Sequence, residues 1–470
     1  MRPFSEFDTA LPADQMSRAA ADRIRSLATW AYLLLRPGME FVRQRSNFIL
    51  GWQAAAAAGA AVTQGAAAGA VGRGGVPPLG SWMILPDLTS PATQTVLPSN
   101  DALYGAAHVE LDRLGPLVIH VPANLDDRYF SVAVMDAHLN NVARIGPRWT
   151  GNAACDRLLV PPGWHGRAPA GMEVIHSPTV SACLYNRMLV GYADGDIGRV
   201  RQWQAGLAIT QLSRYGQAQP ALDEVDTAPF VHPGLDTLTD GLEYLRIGLD
   251  HLTRNPLVTG AGWLTAMIVS AGFGQAAADP ALRAAAEEGI GEATRMLDAA
   301  LTAWPRQGGW MLPDPRLGLP NPDVLKSAAF QQFQIGANDI SEAAYYFTDT
   351  GADGQPLDGS GGAVHVLRFP GDRLPPAEPG GYWSLTMYDQ RSLLVANPIG
   401  RYATRPERPG LVRDPDGGAT ITLGSAPPGG VPEANWLPAP AGRFRLGLRV
   451  YYPGPAVAVG SWTPPAVIRQ

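Results

Sequence analysis

The stretch NDALYGAAHVELD, residues 100–112, sets Tyr104, His108 and Glu110 at alternate positions, and LVIHV, residues 117–121, follows with His120. Alternate side chains of a β-strand share a face. Tyr104, Ala106, His108 and Glu110 therefore face one way, and Leu103, Ala107, Val109 and Leu111 the other. The spacer DRLGP has hairpin length. A hairpin pairing Leu111 with Leu117 sets His108 opposite His120, with side chains about 5 Å apart. Two imidazoles near neutral pKa form an acid–base pair, which Glu110 orients while Tyr104 donates to an oxyanion. The same His-His-Glu set is a donor set for a divalent metal. It also describes the wet face of a sandwich, and a register slip of one residue dissolves the patch.

Other motifs exclude more than they supply. VPPGWHG around His165 lacks the spacing and the preceding His-x-His of a cupin metal motif, so His165 reads as a turn residue. Asp349, Asp353 and Asp358 fall in DTGADGQPLDG, where Gly351 and Ser360 occupy positions that a calcium loop gives to oxygen ligands. That segment reads as a tight turn. Lys326 is the only lysine, which excludes a Walker loop and leaves a single residue for Schiff-base chemistry. There is no Gly-x-Ser-x-Gly elbow, no dinucleotide fingerprint and no CxxC. Cys155 and Cys183 read as buried thiols, with a disulfide as the alternative. No organic cofactor is expected, and a metal only through the histidine patch.

These residues must be held by a chain of 470 residues with 46% hydrophobic and 17% charged content, enough for two or three domains. The net charge of −6 and the lack of a basic run argue against nucleic acid and anionic membrane. The N-terminal segment has no apolar signal core, WAYLLL is too short to span a bilayer, and a cytoplasmic location is expected. Residues 1–80 read as a helical arm followed by an Ala/Gly-rich stretch, loosely helical or mobile. Residues 81–195 carry short strand signals and read as a β-sandwich. Residues 196–345 show helical spacing, with a helix start at Asp279-Pro280. Residues 346–470 alternate again and read as a second sandwich of jelly-roll type. The fold class is α+β multidomain.

Two groups of segments resemble known families. NDALY, DDRYFSVAVMDAHLNN, IGPRWTG, PPGWHG and SPTVSACLYNRMLVG resemble the bacterial domain of unknown function 1254. NDISEAAYYFTDTGADGQPLDG, YWSLTMYD, NPIGRYATR, NWLPAPAGRFRLGLRVYYP and GSWTPP resemble domain 1214, which commonly follows it. The resemblance implies an immunoglobulin-like sandwich, a helical insert and a jelly roll, in a chain that is often a homo-oligomer. The family's Asn-x-Asp-Thr lead-in is represented by Ser99, Asp101 and Ala102, and its Trp and Asp by His108 and Glu110. Its Arg before the 1214 segment is Ser327. Asp101, with Arg128, Arg148 and Arg401 in family-like segments, forms a candidate set for gripping a polar substrate group. Arg187 and Arg449 lie in such segments too, and all these arginines also suit loop bracing. Trp383 and Trp436 read as core aromatics, of which one or two can line an apolar cavity. The expected activity is cofactor-free acid–base chemistry (lyase, isomerase, cyclase or hydrolase) on a largely apolar small molecule by His108, His120, Glu110 and Tyr104. The alternatives are a non-catalytic binding or structural protein and a His/Glu metal enzyme.

Overall fold

The structure is a computed structural model that describes residues 13–57, 78–93, 96–124, 126–217, 222–257 and 262–470. Residues 58–77, most of the Ala/Gly-rich stretch, lie outside the described residues. The multidomain α+β class holds: the chain forms one helical unit and one unit built from β-sheets. No helix among the described residues is long and apolar enough to cross a membrane.

The helical unit takes residues up to Ser46, then His232–Ala303 and Pro320–Gln332. The helix Ala13–Ala57 is therefore more than an arm, since its part before Asn47 is one wall of this unit. Ile24, Leu27, Ala28, Ala31, Leu34 and Leu35 recur at three- and four-residue intervals and are all buried in its core. Against them pack Leu242 and Leu245 of helix Gly241–Arg254 and Ala285 and Ala286 of helix Pro280–Thr302. The expected start at Asp279-Pro280 is present: the Asp279 carboxylate accepts from the amides of Ala281 (2.8 Å) and Leu282 (3.2 Å). Asp240 caps helix Gly241–Arg254 in the same way.

The β unit takes residues 47–231, 304–319 and 333–470. Residues 196–231 thus fold with the sheets rather than with the helices. Among the described residues its first half has nine strands: β1 (Met83–Ile84), β2 (Ala102–Glu110), β3 (Leu117–Val121), β4 (Phe130–Asp136), β5 (Asn141–Ile145), β6 (Cys155–Val160), β7 (Glu173–His176), β8 (Ser181–Leu189) and β9 (Ala208–Gln211). They form two sheets, ordered β1-β2-β8-β4-β5 and β7-β6-β3-β9. Leu103, Val132 and Leu184 from one sheet and Leu117, Leu159 and Ile209 from the other share a core, so the sheets are stacked.

A two-residue edge strand, β10 (Arg306–Gln307), precedes the second half. There follow β11 (Trp310–Met311), β12 (Ala343–Thr348), β13 (His365–Phe369), β14 (Trp383–Asp389), β15 (Ala403–Thr404), β16 (Ala419–Gly424), β17 (Trp436–Pro438), β18 (Phe444–Tyr451) and β19 (Ile468–Arg469). The sheets are β10-β11-β12-β18-β14-β15 and β17-β16-β13-β19. Apart from β10, each strand stands where the strand ten places earlier stands in the first half. Even the parallel pairs correspond, β6 with β7 and β16 with β17. So does a turn: Asp136 accepts from the amides of His138 and Asn140, and Asp389 from those of Arg391 and Leu393. In each turn the third residue after the aspartate has positive φ, Leu139 at 61° and Ser392 at 66°. The chain therefore contains one sandwich topology twice.

Two helices of the helical unit approach each other closely at the backbone. A Cβ on Gly289 would stand 2.2 Å from the Arg25 carbonyl oxygen, and the Gly289 carbonyl accepts from the Thr29 hydroxyl at 3.0 Å. Gly289→Ala forces these two helices apart, and the expected cost is about 1–3 kcal/mol. A lowered urea midpoint on the helical circular dichroism signal would register it. An unchanged midpoint would show that the helices separate freely.

Candidate functional site

The alternation expected for β2 is present. Leu103, Ala107 and Val109 enter the sandwich core, and Tyr104, Ala106, His108 and Glu110 lie on the opposite face. The hairpin is absent. Leu111–Leu114 forms a helical turn with Leu111 and Leu114 buried, and this corner carries the chain from one sheet to the other. Four residues whose apolar members belong in the core make a corner between layers instead of a loop in water. His108 consequently stands opposite Cys183 on β8, and His120 opposite Asp156 on β6. His108 is buried against the Phe48 ring, with centroids 5.1 Å apart. Glu110 is fully buried and accepts from the Ser181 hydroxyl at 2.7 Å. His120 is partly exposed, with Nδ1 2.7 Å from Asp156 Oδ1. The expected His108–His120–Glu110 patch does not form. No group of three His, Cys, Asp or Glu placed to hold a metal ion occurs among the described residues.

Tyr104 leads to a different site. The outer faces of the two central sheets line a half-open cavity of about 290 Å³. Tyr104 and Tyr185 enter from the first sandwich, and Tyr345, Phe347 and Tyr451 from the second. The segment Phe333–Ala337 and residues Val96–Pro98 complete the wall. Two guanidiniums lie in this aromatic surround, Arg187 at 9% and Arg449 at 4% exposure. Arg187 donates to the Gly336 carbonyl (2.7 Å) and to Asn338 Oδ1 (3.3 Å). Arg449 donates to the Leu97 carbonyl (2.7 Å) and to the Tyr388 hydroxyl (2.8 Å). Among the described residues neither is ion-paired with a carboxylate; their partners are neutral oxygens. Burial opposes the Arg187 charge, and the surrounding tyrosines more than offset this. Burial pushes the Tyr345 and Tyr451 hydroxyls above the usual phenol range, so at neutral pH they are proton donors. The Tyr104 hydroxyl accepts from the Ser99 amide and the Tyr345 hydroxyl from the Asn338 amide, both at 3.2 Å. Each keeps its own proton for another acceptor.

The other candidates are mostly braces. Asp101 is buried and accepts from the Ser384 hydroxyl, joining the two sandwiches. Arg148 joins them as well, donating to the Ser341 carbonyl at 2.7 Å and pairing with Glu378. Arg128 grips Asp196 with two bonds, at 2.8 and 2.9 Å, and also pairs with Asp126. Arg401 holds Glu433 and the Trp436 carbonyl. Trp383 lies in the second core, and Trp436 is buried with its indole donating to the Gly424 carbonyl at 2.9 Å. His165 is an exposed loop residue. Asp349 is paired with Arg306 and Arg445. Cys155 and Cys183 are free thiols.

The cavity tyrosines Tyr185 and Tyr345, with Phe347, are residues that pattern reading passed over. The repeat was a usable signal. YFSVAVMD (129–136) and YWSLTMYD (382–389) occupy equivalent strands, as do SWMILP (81–86) and GWMLP (309–313). Aligned on them, Tyr104 corresponds to Tyr345 and Arg187 to Arg449.

The Arg128–Asp196 clamp carries a pH prediction. Hydrogen bonds from Arg128 hold the Asp196 carboxyl well below the usual range. A depressed folded-state pKa contributes stability above the unfolded value, about 3.9, and loses it as pH falls through the folded value. Asp196→Asn removes that contribution, so the mutant is less stable at pH 7 and its stability falls less steeply below about pH 4. Urea midpoints measured from pH 2 to 7 test this; parallel curves for the two proteins would refute it.

Comparison with known proteins agrees with these halves. Two family models match, "Protein of unknown function (DUF1254)" at residues 80–211 and "Protein of unknown function (DUF1214)" at residues 342–455, together just over half of the chain. The crystal structure of the VPA0106 protein from Vibrio parahaemolyticus is similar, with a TM-score of 0.66 and 19% identity over 95% of this chain and 100% of that one. That likeness is one of fold. A crystal structure of an uncharacterised protein from Burkholderia cenocepacia covers 97% of this chain and 94% of its own, at 12% identity and a TM-score of 0.45. No curated protein matches. The chain belongs to the two-part family in which domain of unknown function 1254 is followed by domain of unknown function 1214.

Proposed function

We propose that the protein binds a largely apolar small molecule carrying a carboxylate, in the cavity between its two sandwiches. One observation carries this reading: Arg187 and Arg449 are buried in an aromatic wall with only neutral hydrogen-bond partners among the described residues. A buried cation costs several kcal/mol to desolvate unless a counter-charge offsets it. An anionic ligand supplies that charge, and the aromatic walls take its apolar body. The chain is acidic overall, so the pull on an anion is local to the cavity.

A second reading keeps acid–base chemistry, moved from the histidines to the tyrosines. Tyr104 and Tyr345 each have a hydroxyl proton to donate beside a guanidinium, an arrangement suited to a developing oxyanion. Among the described residues no carboxylate or imidazole lines the cavity to act as base, which favours binding over catalysis. For the fold, the finer assignment pairs an immunoglobulin-like sandwich with a jelly roll. The matching strand orders favour a single architecture for both halves.

Calorimetry with benzoate and benzamide separates charge from shape. Benzoate is expected to bind about 10- to 100-fold more tightly, the worth of a charged hydrogen bond. The double variant Arg187→Met with Arg449→Met should remove that advantage, and His108→Ala should leave it intact. Equal affinity for the two compounds would sink the reading.

A further inference from the structure

The two guanidiniums occupy equivalent places. On the first central sheet Arg187 stands between Tyr104 on β2 and Ser131 on β4. On the second, Arg449 stands between Tyr345 on β12 and Ser384 on β14. Each sandwich thus presents the same Tyr-Arg-Ser row, and both rows face the shared interface. The neighbours strengthen the correspondence. Met83 opposes Ala106 two residues beyond Tyr104, and Met311 opposes Phe347 two residues beyond Tyr345. The cavity is therefore bounded by two copies of one recognition row, each with its own cation.

The charge count is two. Arg187 is held by Gly336 and Asn338, and Arg449 by Leu97, Tyr388 and Thr386, five neutral oxygens. Glu342, the carboxyl whose field reaches Arg187, is engaged by the Tyr129 hydroxyl and the Trp149 indole, both at 2.6 Å, and burial raises its pKa. Among the described residues it forms no ion pair with Arg187 or Arg449, and its two oxygens are taken by those donors. Both guanidiniums act on the Tyr345 and Tyr451 hydroxyls, so the two positive charges bear on the same stretch of cavity. A monoanion offsets one of them and leaves the other buried and unpaired.

We infer that the ligand is a dicarboxylate: an apolar, ring-sized frame with a carboxylate at each of two positions, one for Arg187 and one for Arg449. This rests on the binding reading above and specifies its ligand class. Each carboxylate takes a guanidinium and finds a tyrosine hydroxyl from the facing row near it, Tyr345 for Arg187, where both bond Asn338, and Tyr104 for Arg449. The frame lies against Tyr185, Phe347 and Tyr451.

The test is calorimetric titration of the full chain at pH 7 with benzoate, benzene-1,3-dicarboxylate and benzene-1,4-dicarboxylate. At least one dicarboxylate is expected to bind about tenfold or more tightly than benzoate. Arg187→Met and Arg449→Met should each reduce that dicarboxylate to the affinity of benzoate, while Arg187→Lys and Arg449→Lys, which keep the charge, retain a preference for two carboxylates. Benzoate binding as tightly as both dicarboxylates overturns the inference and leaves the binding reading standing. A Met variant with undiminished dicarboxylate affinity overturns it as well. Failure of all three compounds to bind overturns the binding reading and this inference together. The wild-type comparison needs no variant, so a misfolded mutant leaves the question decidable.

Discussion

Both faces of each central sheet are out of water, and most of the structure answers that constraint. Every residue of β4 and of β12 is buried. The inner face of each sheet is covered by its own second layer, through Leu117 and Ile119 in one sandwich and Leu367 and Phe369 in the other. The outer faces meet each other, with Phe48 over His108 and the segments Val96–Pro98 and Phe333–Ala337 closing the edges. They are not apolar enough to form a plain core, because Arg187, Arg449, Asp101, Ser384 and several tyrosines lie there. A polar group buried between layers needs a partner. Asp101 finds Ser384 on the other sandwich, and Tyr129 finds Glu342. The guanidiniums find carbonyls and keep their charge. The interface is thus a polar network around an aromatic hollow.

This arrangement accounts for what the sequence made legible. Period-two alternation sorted β2 correctly, because Leu103, Ala107 and Val109 obey a rule internal to the strand. Capping chemistry at Asp279-Pro280 was legible for the same reason. What covers the polar face of β2 was not legible, since Tyr104, His108 and Glu110 look alike whether they meet solvent or a second sandwich. The partner of β2 was also hidden. β8 lies about seventy residues on, and pairings at that range leave no local trace. The DRLGP spacer suggested the nearer partner, and the burial of Leu111 and Leu114 decided for a corner.

The family resemblance located both halves, and the structure adds that they are versions of one design. Nothing in the family descriptions says so. The equivalence becomes visible when strand order, register and the Asp136 and Asp389 turns are compared. It also explains why single residues such as Arg128 and Arg401 misled. Both stand in well-defined motifs, yet each braces its own neighbourhood, through Asp196 and Glu433. The arginines at the cavity are the ones that the repeat presents twice.

The duplication also bears on how the protein is made. β9 ends at Gln211, and the central sheet of the second sandwich is incomplete until β18 ends at Tyr451. At about 5–20 residues per second, a ribosome takes roughly ten to fifty seconds to bridge that interval. During it, the outer face of the first sandwich, with Tyr104, Tyr185 and Arg187, has no cover from the second. A half-made chain therefore displays an aromatic, partly charged sheet face of the kind that recruits chaperones or neighbouring nascent chains. The helical residues 232–303 are synthesised in this same interval, which lengthens the wait.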